Sequence, residues 1–524
     1  MKPNKRNDPS RRSFIKGSMA AVALTALPDI TIPSAPPRKI LPPIDYSKEI
    51  ILKNCTIIDM VKPGTIKNGS LKFVNGKIIA VGASPFDETH AKVINMGGAY
   101  VTPGLIDAHC HTTASPVFSI SLRQIPAILR EGLRQYTLCI ESGITTVRDL
   151  GAFAPMLHSN IKKIEKGDLV GPRVVYCNAI MNLKGSHPDV KPTDVSIFAE
   201  WVKPFIGMIP MNFETMADLK EALEKNAKGA SFIKLTVDNK SVFCKRNHIP
   251  VYSDEHLREI FAFAEKHNLP VSCHNHRKWG FDRITRYPIN SLEHMIGDAR
   301  LSDAEIMRMV KQKIAIVPTL TVAQSYLLDE AYAGGIPKQF QTDFIMNEIA
   351  VRKNYMKNEA SQHFDPKIIQ STVDELKYYK TLGWDHLIEH KKYLVNPDLY
   401  FGIMLYAPDN LRRMKEAGVL IGCGIDAGMP YTFFGGQYRE YELLSRLGFK
   451  NEEILKCATI NNARILKMED KIGSLTAGKL ADIAVYSENP LKKIEALRKP
   501  VMVFKGGTLV HYKSDQLKGN KIVV

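Results

Sequence analysis

The sequence predicts an α/β protein in which a (β/α)8 TIM barrel carries a small, discontinuous β-sandwich domain. Three observations support this fold class. Eight short apolar segments alternate with helical patterns, which is typical of a parallel sheet made of β/α units. Both ends of the chain are instead rich in strand-like runs and turn residues. At 524 residues, the chain is long enough for a large catalytic domain and a smaller one.

The predicted β-sandwich is formed from residues 45–100 and 475–524. Two short β segments at opposite ends of a chain can pair into one small domain. Asn75-Gly76 in the first segment is a strong hairpin signal, and Gly506-Gly507 marks a turn in the second. The strand-like runs are residues 50–59, 70–74, 77–81, 482–486, 501–505 and 508–510.

The predicted barrel occupies residues 101–474. Its eight apolar runs match the strand count of a (β/α)8 barrel, and helical patterns such as residues 254–267 and 302–311 separate most of them. One connection, about residues 321–418, is unusually long and contains helical pieces, so we expect a helical insertion that caps the active site. The predicted strands are residues 100–108, 145–148, 173–178, 232–237, 270–273, 291–294, 315–320 and 419–425.

Residues 1–35 resemble a bacterial twin-arginine export signal. The pair Arg11-Arg12 is followed by Phe14 and Ile15, and then by an apolar run over residues 17–27. That run is too short to span a bilayer stably. We therefore expect export through the twin-arginine pathway to a periplasmic or other extracytoplasmic space. No clear Ala-x-Ala cleavage site follows, so retention of the segment as an anchor stays open.

Composition excludes several classes of protein. The hydrophobic content of 44% and charged content of 24% are ordinary for a globular protein, and no later stretch is long and apolar enough to predict a membrane span. The formal charge of +17 is spread along the chain without a dense basic run, so we expect no nucleic-acid partner. The eight cysteines contain no Cys-x-x-Cys pair, which argues against a zinc ribbon and favours structural thiols.

Metal-binding residue types gather at the carboxyl ends of the predicted barrel strands, where barrel enzymes place their active sites. His109 and His111 lie two residues apart at the end of the first strand, so both face the same side. Lys234 stands inside an apolar strand, where an unpaired ammonium is costly to bury. Imidazole, carboxylate and lysine at one end of one barrel predict a site for two divalent cations. The polar residues gathered there include His109, His111, Lys234, His274, His276, His294 and Asp426.

Several longer motifs contain or accompany these residues. They are residues 103–111 (Pro-Gly-Leu-Ile-Asp-Ala-His-Cys-His), 143–149 (Gly-Ile-Thr-Thr-Val-Arg-Asp), 171–173 (Gly-Pro-Arg), 425–428 (Ile-Asp-Ala-Gly) and 478–483 (Gly-Lys-Leu-Ala-Asp-Ile). With them, the chain resembles the amidohydrolase superfamily of metal-dependent hydrolases over nearly all of its length after residue 45. Within that superfamily it is most similar to the imidazolonepropionase-related group, which includes Xaa-Pro dipeptidases and arginine/lysine carboxypeptidases.

The resemblance implies two divalent metal ions in one centre. His109, His111 and Asp426 would hold the more buried ion, and His274 and His294 the more exposed one. Zinc (Zn²⁺) is the default metal, although manganese, cobalt and iron suit the same ligands.

The resemblance also implies a chemical role for two further groups. Lys234, carboxylated by carbon dioxide, would bridge the two ions as an anionic ligand. A metal-bridging hydroxide would attack the substrate carbonyl. Asp426 would take the proton of that hydroxide and deliver it to the leaving amine.

Two other histidines are candidates for substrate contact. His187 falls in the loop after the third predicted strand, where relatives often carry Gly-Gly-His. His276 lies two residues past His274 on the same strand face, so it could donate to the scissile carbonyl or to a substrate carboxylate. Each histidine could equally be a packing residue. Arg148 is read as a structural arginine rather than an anion binder.

The leading functional hypothesis is an exported binuclear metal-dependent amidohydrolase that cleaves an amide (C–N) bond of a small molecule, such as a dipeptide or an N-acyl amino acid. Three alternatives stay open: a one-metal deaminase or cyclic-imide hydrolase, a lactone or phosphotriester hydrolase, and a non-catalytic barrel. Lys234 argues against the one-metal reading. We expect a small-molecule substrate, no integral membrane domain beyond the signal segment, and a homo-oligomer.

Overall fold

A computed structural model of the chain describes residues 46, 48–83, 85–116, 124–188, 210–242, 248–332, 334–382 and 395–513. The predicted export signal lies outside these residues. Among the helices of the described part, none is long and apolar enough to cross a membrane.

Eight strands from the two ends of the chain pair into one sheet, here called the terminal sheet. They are Ile50–Ile57 (β1), Ile66–Val74 (β2), Lys77–Gly82 (β3), Lys92–Asn95 (β4), Tyr100–Pro103 (β5), Ile483–Tyr486 (β15), Met502–Lys505 (β16) and Thr508–Tyr512 (β17). The order is β17-β16-β15-β5-β1-β2-β3, and β4 also pairs with β1. Pairing of β5 with β15 is antiparallel and joins the N-terminal strands to the C-terminal ones. The division of this unit into two packed layers, a β-sandwich, stays a prediction.

Local sequence explains the two hairpins of the terminal sheet. Asn75 and Gly76, between β2 and β3, have φ values of 49° and 77°, as a two-residue hairpin turn with positive φ at both positions requires. Gly506 and Gly507 play the same part between β16 and β17, with φ values of 53° and 78°. The sheet is built around an apolar cluster that contains side chains from both ends of the chain, such as Phe504 from β16.

The described strands of the barrel are short and run parallel within their sheets. They are Leu105–Cys110 (β6), Ile144–Asp149 (β7), Arg173–Tyr176 (β8), Ile180–Leu183 (β9), Pro210–Phe213 (β10), Ile233–Thr236 (β11), Val271–His274 (β12), Ser291–Glu293 (β13) and Ala315–Val317 (β14). They form the sheets β6-β7-β8, β9-β10 and β11-β12-β13-β14.

Backbone hydrogen bonds connect these sheets in the order of a barrel. The N–H of Ser231, just before β11, donates to a carbonyl of β8 at 2.8 Å. Ile316 in β14 bridges to Ile421 in parallel, and the N–H of Ala108 in β6 donates to the carbonyl of Cys423 at 2.9 Å. Residues 419–427 thus take the place of the eighth strand. The protein has an α/β fold of the TIM-barrel type.

Helices follow most barrel strands. They are Ile125–Glu141 (α1), Ala154–Glu165 (α2), Met216–Asn226 (α3), Asp254–Lys266 (α4), Lys278–Ile284 (α5), Asp303–Gln312 (α6), Leu320–Ser325 (α7), Asp343–Asn358 (α8), Pro366–Leu382 (α9), Pro397–Ala417 (α10), Tyr438–Arg446 (α11), Asn451–Lys456 (α12) and Asn462–Ile465 (α13). Ser253 and Ser302 begin α4 and α6 with capping boxes, so the two helices predicted there are present.

Two strand predictions were wrong in detail, and one pair of strands was not predicted. The predicted strand over residues 100–108 is divided at Gly104 into β5 and β6, because the chain leaves the terminal sheet there and a side chain at Gly104 would collide with Thr145. The predicted strand over residues 315–320 ends at Val317; Thr319 has a φ of 48°, and α7 begins directly afterwards. The pair β9-β10 was not predicted at all.

The long connection between β14 and residue 419 consists largely of helices α7–α10. The last of these, α10, is 21 residues long. It packs directly against the loop after β13. The two backbones approach so closely that a Cβ at Gly402 would overlap the carbonyl of Gly297. That contact carries residues of α10 to the carboxyl end of the barrel.

Candidate metal centre

The structure brings all six predicted ligands to the carboxyl end of the barrel, here called the barrel mouth. His109 and His111 come from the end of β6, His274 ends β12, His294 directly follows β13, Asp426 lies in the segment that replaces the eighth strand, and Lys234 is the second residue of β11. All are buried or nearly so, and five of them, together with His276, form two clusters of potential ligand atoms, each within 4.8 Å. The two clusters are His109 with His111 and Asp426, and His274 with His276 and His294.

The first cluster is arranged around the carboxylate of Asp426. Its Oδ1 atom lies 3.3 Å from Nε2 of both His109 and His111, but makes no hydrogen bond with either. Each imidazole uses its other nitrogen as a donor: Nδ1 of His109 to Glu293 (2.9 Å) and Nδ1 of His111 to the carbonyl of Gly151 (2.8 Å). These bonds leave both Nε2 atoms facing Asp426, which is how metal-binding histidines are oriented.

The second cluster consists of three imidazoles. Nδ1 of His294 contacts the hydroxyl of Thr319 at 2.6 Å, and Nδ1 of His276 contacts the carbonyl of Met295 at 3.3 Å. Burial lowers the pKa of His276 to about 3, and burial with the neighbouring imidazoles lowers the pKa values of His274 and His294 well below the usual range. All three are therefore neutral, the form that binds metal. The rings of His109 and His294 lie 4.7 Å apart and join the two clusters.

Three of the buried polar atoms at the mouth that have no hydrogen-bond partner within the described chain belong to predicted ligands. They are Nζ of Lys234, Nε2 of His274 and Oδ1 of Asp426. Leaving such an atom unsatisfied costs roughly 1–3 kcal/mol, more for a charged group. Burial lowers the pKa of Lys234 from 10.5 to about 8, which increases the fraction of neutral amine near neutral pH. A lysine, imidazoles and a carboxylate left unsatisfied together fit a pair of divalent cations.

A buried glutamate supports the first cluster, and sequence reasoning gave it no role. Glu293 is fully buried at the end of β13 and accepts hydrogen bonds from His109, Ser272 (2.6 Å) and Ser291 (2.7 Å). Arg148 also donates to it at 2.6 Å. Burial alone would raise the pKa of Glu293, but Arg148 and His109 lower it below the usual range. A glutamate inside an apolar strand, directly before a predicted ligand, was the signal available in the sequence.

Arg148 has the structural role that we predicted from the sequence. Its guanidinium is 2% exposed and donates to the carbonyl of Ala108 (2.7 Å), to Ser291 (3.1 Å) and to Glu293. These bonds connect β7 with β6 and β13. Each of its three nitrogen atoms donates within the protein, and its burial keeps the guanidinium away from a substrate anion.

His187 lies against the second cluster, and His276 is one of its members. The ring of His187 is 4.8 Å from that of His274, and its Nδ1 contacts the hydroxyl of Ser241 at 3.1 Å. The ring of His276 is 4.7 Å from that of His274 and 4.4 Å from that of His294. The sequence placed both near the substrate; the structure places His276 close enough to be a ligand as well.

The backbone is strained at the mouth. Three residues there have positive φ values: 74° at His294, 60° at Asp426 and 48° at Thr319. This is the left-handed region of the backbone, which residues other than Gly and Asn rarely adopt. Each such residue costs on the order of 1 kcal/mol or more, and strain of this kind is concentrated at functional sites. At His294 and Asp426 it fixes the direction of two potential ligands.

Comparison with known proteins gives two family matches. Residues 100–510 match the model of the amidohydrolase family, and residues 8–28 match that of twin-arginine translocation pathway signal sequences. Ochratoxinase from Aspergillus niger is 24% identical over 430 residues, which cover 78% of this chain and 75% of that protein. Imidazolonepropionase from Fusobacterium nucleatum is 20% identical over 461 residues, covering 80% and 85%.

Solved structures share the fold. A Xaa-Pro dipeptidase with bound methionine superimposes with a TM-score of 0.64 at 21% identity, covering 88% of this chain and 99% of that one. The Aspergillus niger ochratoxinase structure gives the same TM-score at 19% identity, covering 89% and 96%.

Proposed function

The chain belongs to the amidohydrolase family and carries a twin-arginine signal, and on this premise we propose that it is an exported two-metal hydrolase of amide bonds. Its substrate would be a small molecule such as a dipeptide or an N-acyl amino acid. Export through the twin-arginine pathway brings the protein to the periplasm or outside the cell.

One observation carries the proposal: Lys234, His274 and Asp426 are buried at the same mouth with atoms that the protein leaves unsatisfied. His109, His111 and Asp426 would hold one divalent ion, and His274 and His294 the other. Lys234 would bridge the two after reaction of its neutral amine with carbon dioxide, in which an N–C bond forms and a proton is released. The modified side chain is an anion, which is the form that two cations stabilise.

Two bound divalent ions would supply an activated water as the nucleophile and would polarise the scissile carbonyl. Asp426 is positioned to accept the proton of that water and to pass it to the amine that leaves. Its left-handed backbone and the two flanking imidazoles hold its carboxylate in one orientation. His276 and His187, next to His274, are placed to contact the substrate around the carbonyl.

The metal content of the purified protein tests the centre. We expect about two ions per chain, and fewer in Lys234→Ala, with a carbamate signal after growth in ¹³C-bicarbonate that the variant lacks. Lys225→Ala, at an exposed position on α3, is the matched control and should keep both. A content near one ion per chain would favour a one-metal deaminase or cyclic-imide hydrolase, and none would favour a non-catalytic barrel.

A substrate screen tests the reaction. The metal-loaded protein would be assayed against dipeptides, N-acyl amino acids, lactones and phosphotriesters. We expect hydrolysis among the first two groups, with release of a free amine. Activity confined to lactones or phosphotriesters would exclude the amide hydrolase while leaving the fold and the metal centre standing.

A further inference from the structure

Arg277 is a nearly buried arginine whose guanidinium has no hydrogen bond in the described chain. Its side chain is 11% exposed, and its Nε atom is buried without a partner. Among the described residues, the guanidinium has one loose ion contact, 3.9 Å from Nη1 to Asp298, which is itself 37% exposed. A cation buried to this degree without partners is costly unless something else supplies the acceptor.

The buried carboxylate of Asp238 already accepts other hydrogen bonds. Asp238 accepts the backbone N–H groups of His276 (2.8 Å) and Arg277 (3.2 Å) and the amide of Asn275 (2.8 Å). Those bonds hold the backbone of residues 275–277 in the loop that directly follows β12. They fix the position of Arg277 at the barrel mouth without using its side chain.

A second polar group without a hydrogen bond in the described chain is the hydroxyl of Tyr400, on helix α10 of the insertion. Its ring packs against the ring of His276, with centroids 5.8 Å apart, and His276 directly precedes Arg277 in the chain. Tyr400 therefore lies beside the loop that carries Arg277. The close contact of Gly297 with Gly402 holds this part of α10 against the mouth.

The polar groups that the protein leaves unsatisfied at the mouth therefore fall into two sets. Lys234, His274 and Asp426 face the proposed metal ions. Arg277 and Tyr400 both adjoin His276, one in the chain and the other through its ring, and are a cation and a neutral donor, which is a set suited to an anion. A planar guanidinium is well matched to a carboxylate, with which it makes paired charge-assisted hydrogen bonds.

We propose that Arg277 and the hydroxyl of Tyr400 bind the free carboxylate of the substrate, and so select amides whose amine half is an amino acid with an unblocked carboxyl group. This inference rests on the proposed amide hydrolase. It assigns substrate recognition to a residue of the loop after β12 and to a residue of the insertion. Asp298 marks the solvent side of the guanidinium.

The test compares acids with their amides. Metal-loaded enzyme would be assayed with N-acetyl-L-phenylalanine and L-leucyl-L-phenylalanine and with the C-terminal amide of each. We expect the acids to be preferred. Arg277→Gln should lower kcat/KM for the acids about 10- to 100-fold, mainly through KM, and leave the amides almost unchanged. Tyr400→Phe should act in the same direction by about 3- to 10-fold, and Arg277→Lys should retain part of the preference.

The control is Arg283→Gln on α5, where the arginine pairs with Asp254 at the surface; its preference should match that of the unsubstituted enzyme. Metal content and thermal melting of each variant show whether the centre and the fold are intact. Equal losses for acids and amides in a folded, metal-loaded Arg277→Gln, or no preference for acids in the unsubstituted enzyme, would overturn the proposal.

A binding measurement separates this inference from the proposed reaction. Calorimetric titration with L-phenylalanine and with L-phenylalaninamide requires no turnover. Preferential binding of the amino acid that is lost in Arg277→Gln supports the subsite even if no amide is cleaved. Equal binding of both compounds, or no binding of either, would overturn the subsite even if amides are hydrolysed.

Discussion

In the terminal sheet the buried side chains are mainly aliphatic and aromatic, whereas those that meet at the barrel mouth are imidazoles, carboxylates, a lysine and an arginine. Phe504 of the sheet packs against Phe73 with ring centroids 5.5 Å apart. At the mouth, Lys234 and Arg277 are buried with atoms that have no partner in the described chain. The sheet gains stability from apolar burial, while the mouth gives up stability to keep groups ready for ligands.

The two regions also differ in the residue types that adopt a left-handed backbone conformation. In the hairpin of the terminal sheet, the left-handed positions are taken by Asn75 and Gly76, which adopt them at little cost. At the mouth they are taken by His294, Thr319 and Asp426, which do not. The comparison indicates that stability depends mainly on the terminal sheet and function on the barrel mouth. Substitutions in the sheet should therefore affect stability and spare activity, and those at the mouth should do the reverse.

The largest effect should come from Asp426→Asn at the mouth. The substitution keeps the shape but removes the carboxylate that we expect to move the proton, so kcat should fall about 10²- to 10⁴-fold. The midpoint of thermal unfolding of the metal-free protein should change little compared with the loss in kcat, because asparagine keeps the shape of the side chain and also adopts the left-handed backbone conformation. Asp470→Asn, at an exposed position, is the control. A loss of activity that follows a loss of stability would contradict the division.

The reverse outcome is expected for Phe504→Ala in the terminal sheet. Truncating this fully buried ring should lower the free energy of unfolding by about 3–5 kcal/mol in urea titrations. The kcat of the folded fraction at 25 °C should stay within about twofold of the original. Ile79→Ala, at a 40% exposed position of β3, should cost less than about 0.5 kcal/mol. A strong decrease in kcat at full folding would show that the two regions are coupled.

The smallest effect concerns a carboxylate beneath the mouth. Glu440 accepts the backbone N–H groups of Leu320 (2.8 Å) and Thr321 (2.7 Å), and burial raises its pKa from 4.5 to about 7. Because its pKa is raised in the folded state, its favourable contribution is fully present below pH 4.5 and is lost as the pH rises through 7. Glu440→Gln cannot ionise, so its stability relative to the original protein should increase by about 1–3 kcal/mol between pH 5 and 8.

Urea unfolding of both proteins at the two pH values measures that shift. Glu221→Gln, at an exposed position of α3, should show no change with pH. A stability difference between Glu440→Gln and the original protein that is the same at pH 5 and pH 8 would contradict the assignment.

Patterns of apolar residues predicted most of the fold because a buried parallel strand needs a continuous apolar run. They missed the division at Gly104, where the chain passes from the terminal sheet to the barrel and a Cβ would collide with Thr145 of another strand. They also missed the pair β9-β10, in which Ile180 pairs with Pro210. Boundaries set by contacts between distant residues leave no local signal.

The candidate ligands could be found from the sequence because metal binding restricts residue type and because strand ends converge in a barrel. Their supports were harder to find. Glu293 and Thr319 act through hydrogen bonds to His109 and His294. Glu293 was marked only by its place inside an apolar strand, and Thr319 had no local signal. Arg277 looks like any loop arginine in the sequence; only its burial without a partner distinguishes it.

The pairing of β5 with β15 has a consequence for when the protein can finish folding. Thr102 and Ala484, which face each other across these strands, are separated by 382 residues. At a synthesis rate of about 5–20 residues per second, the ribosome needs roughly 20–75 s to make the second strand after the first. During that time the signal upstream of β1 is attached to an unfinished sheet. Completion of the sheet therefore comes only at the end of translation, which suits an export route that carries proteins after they have folded.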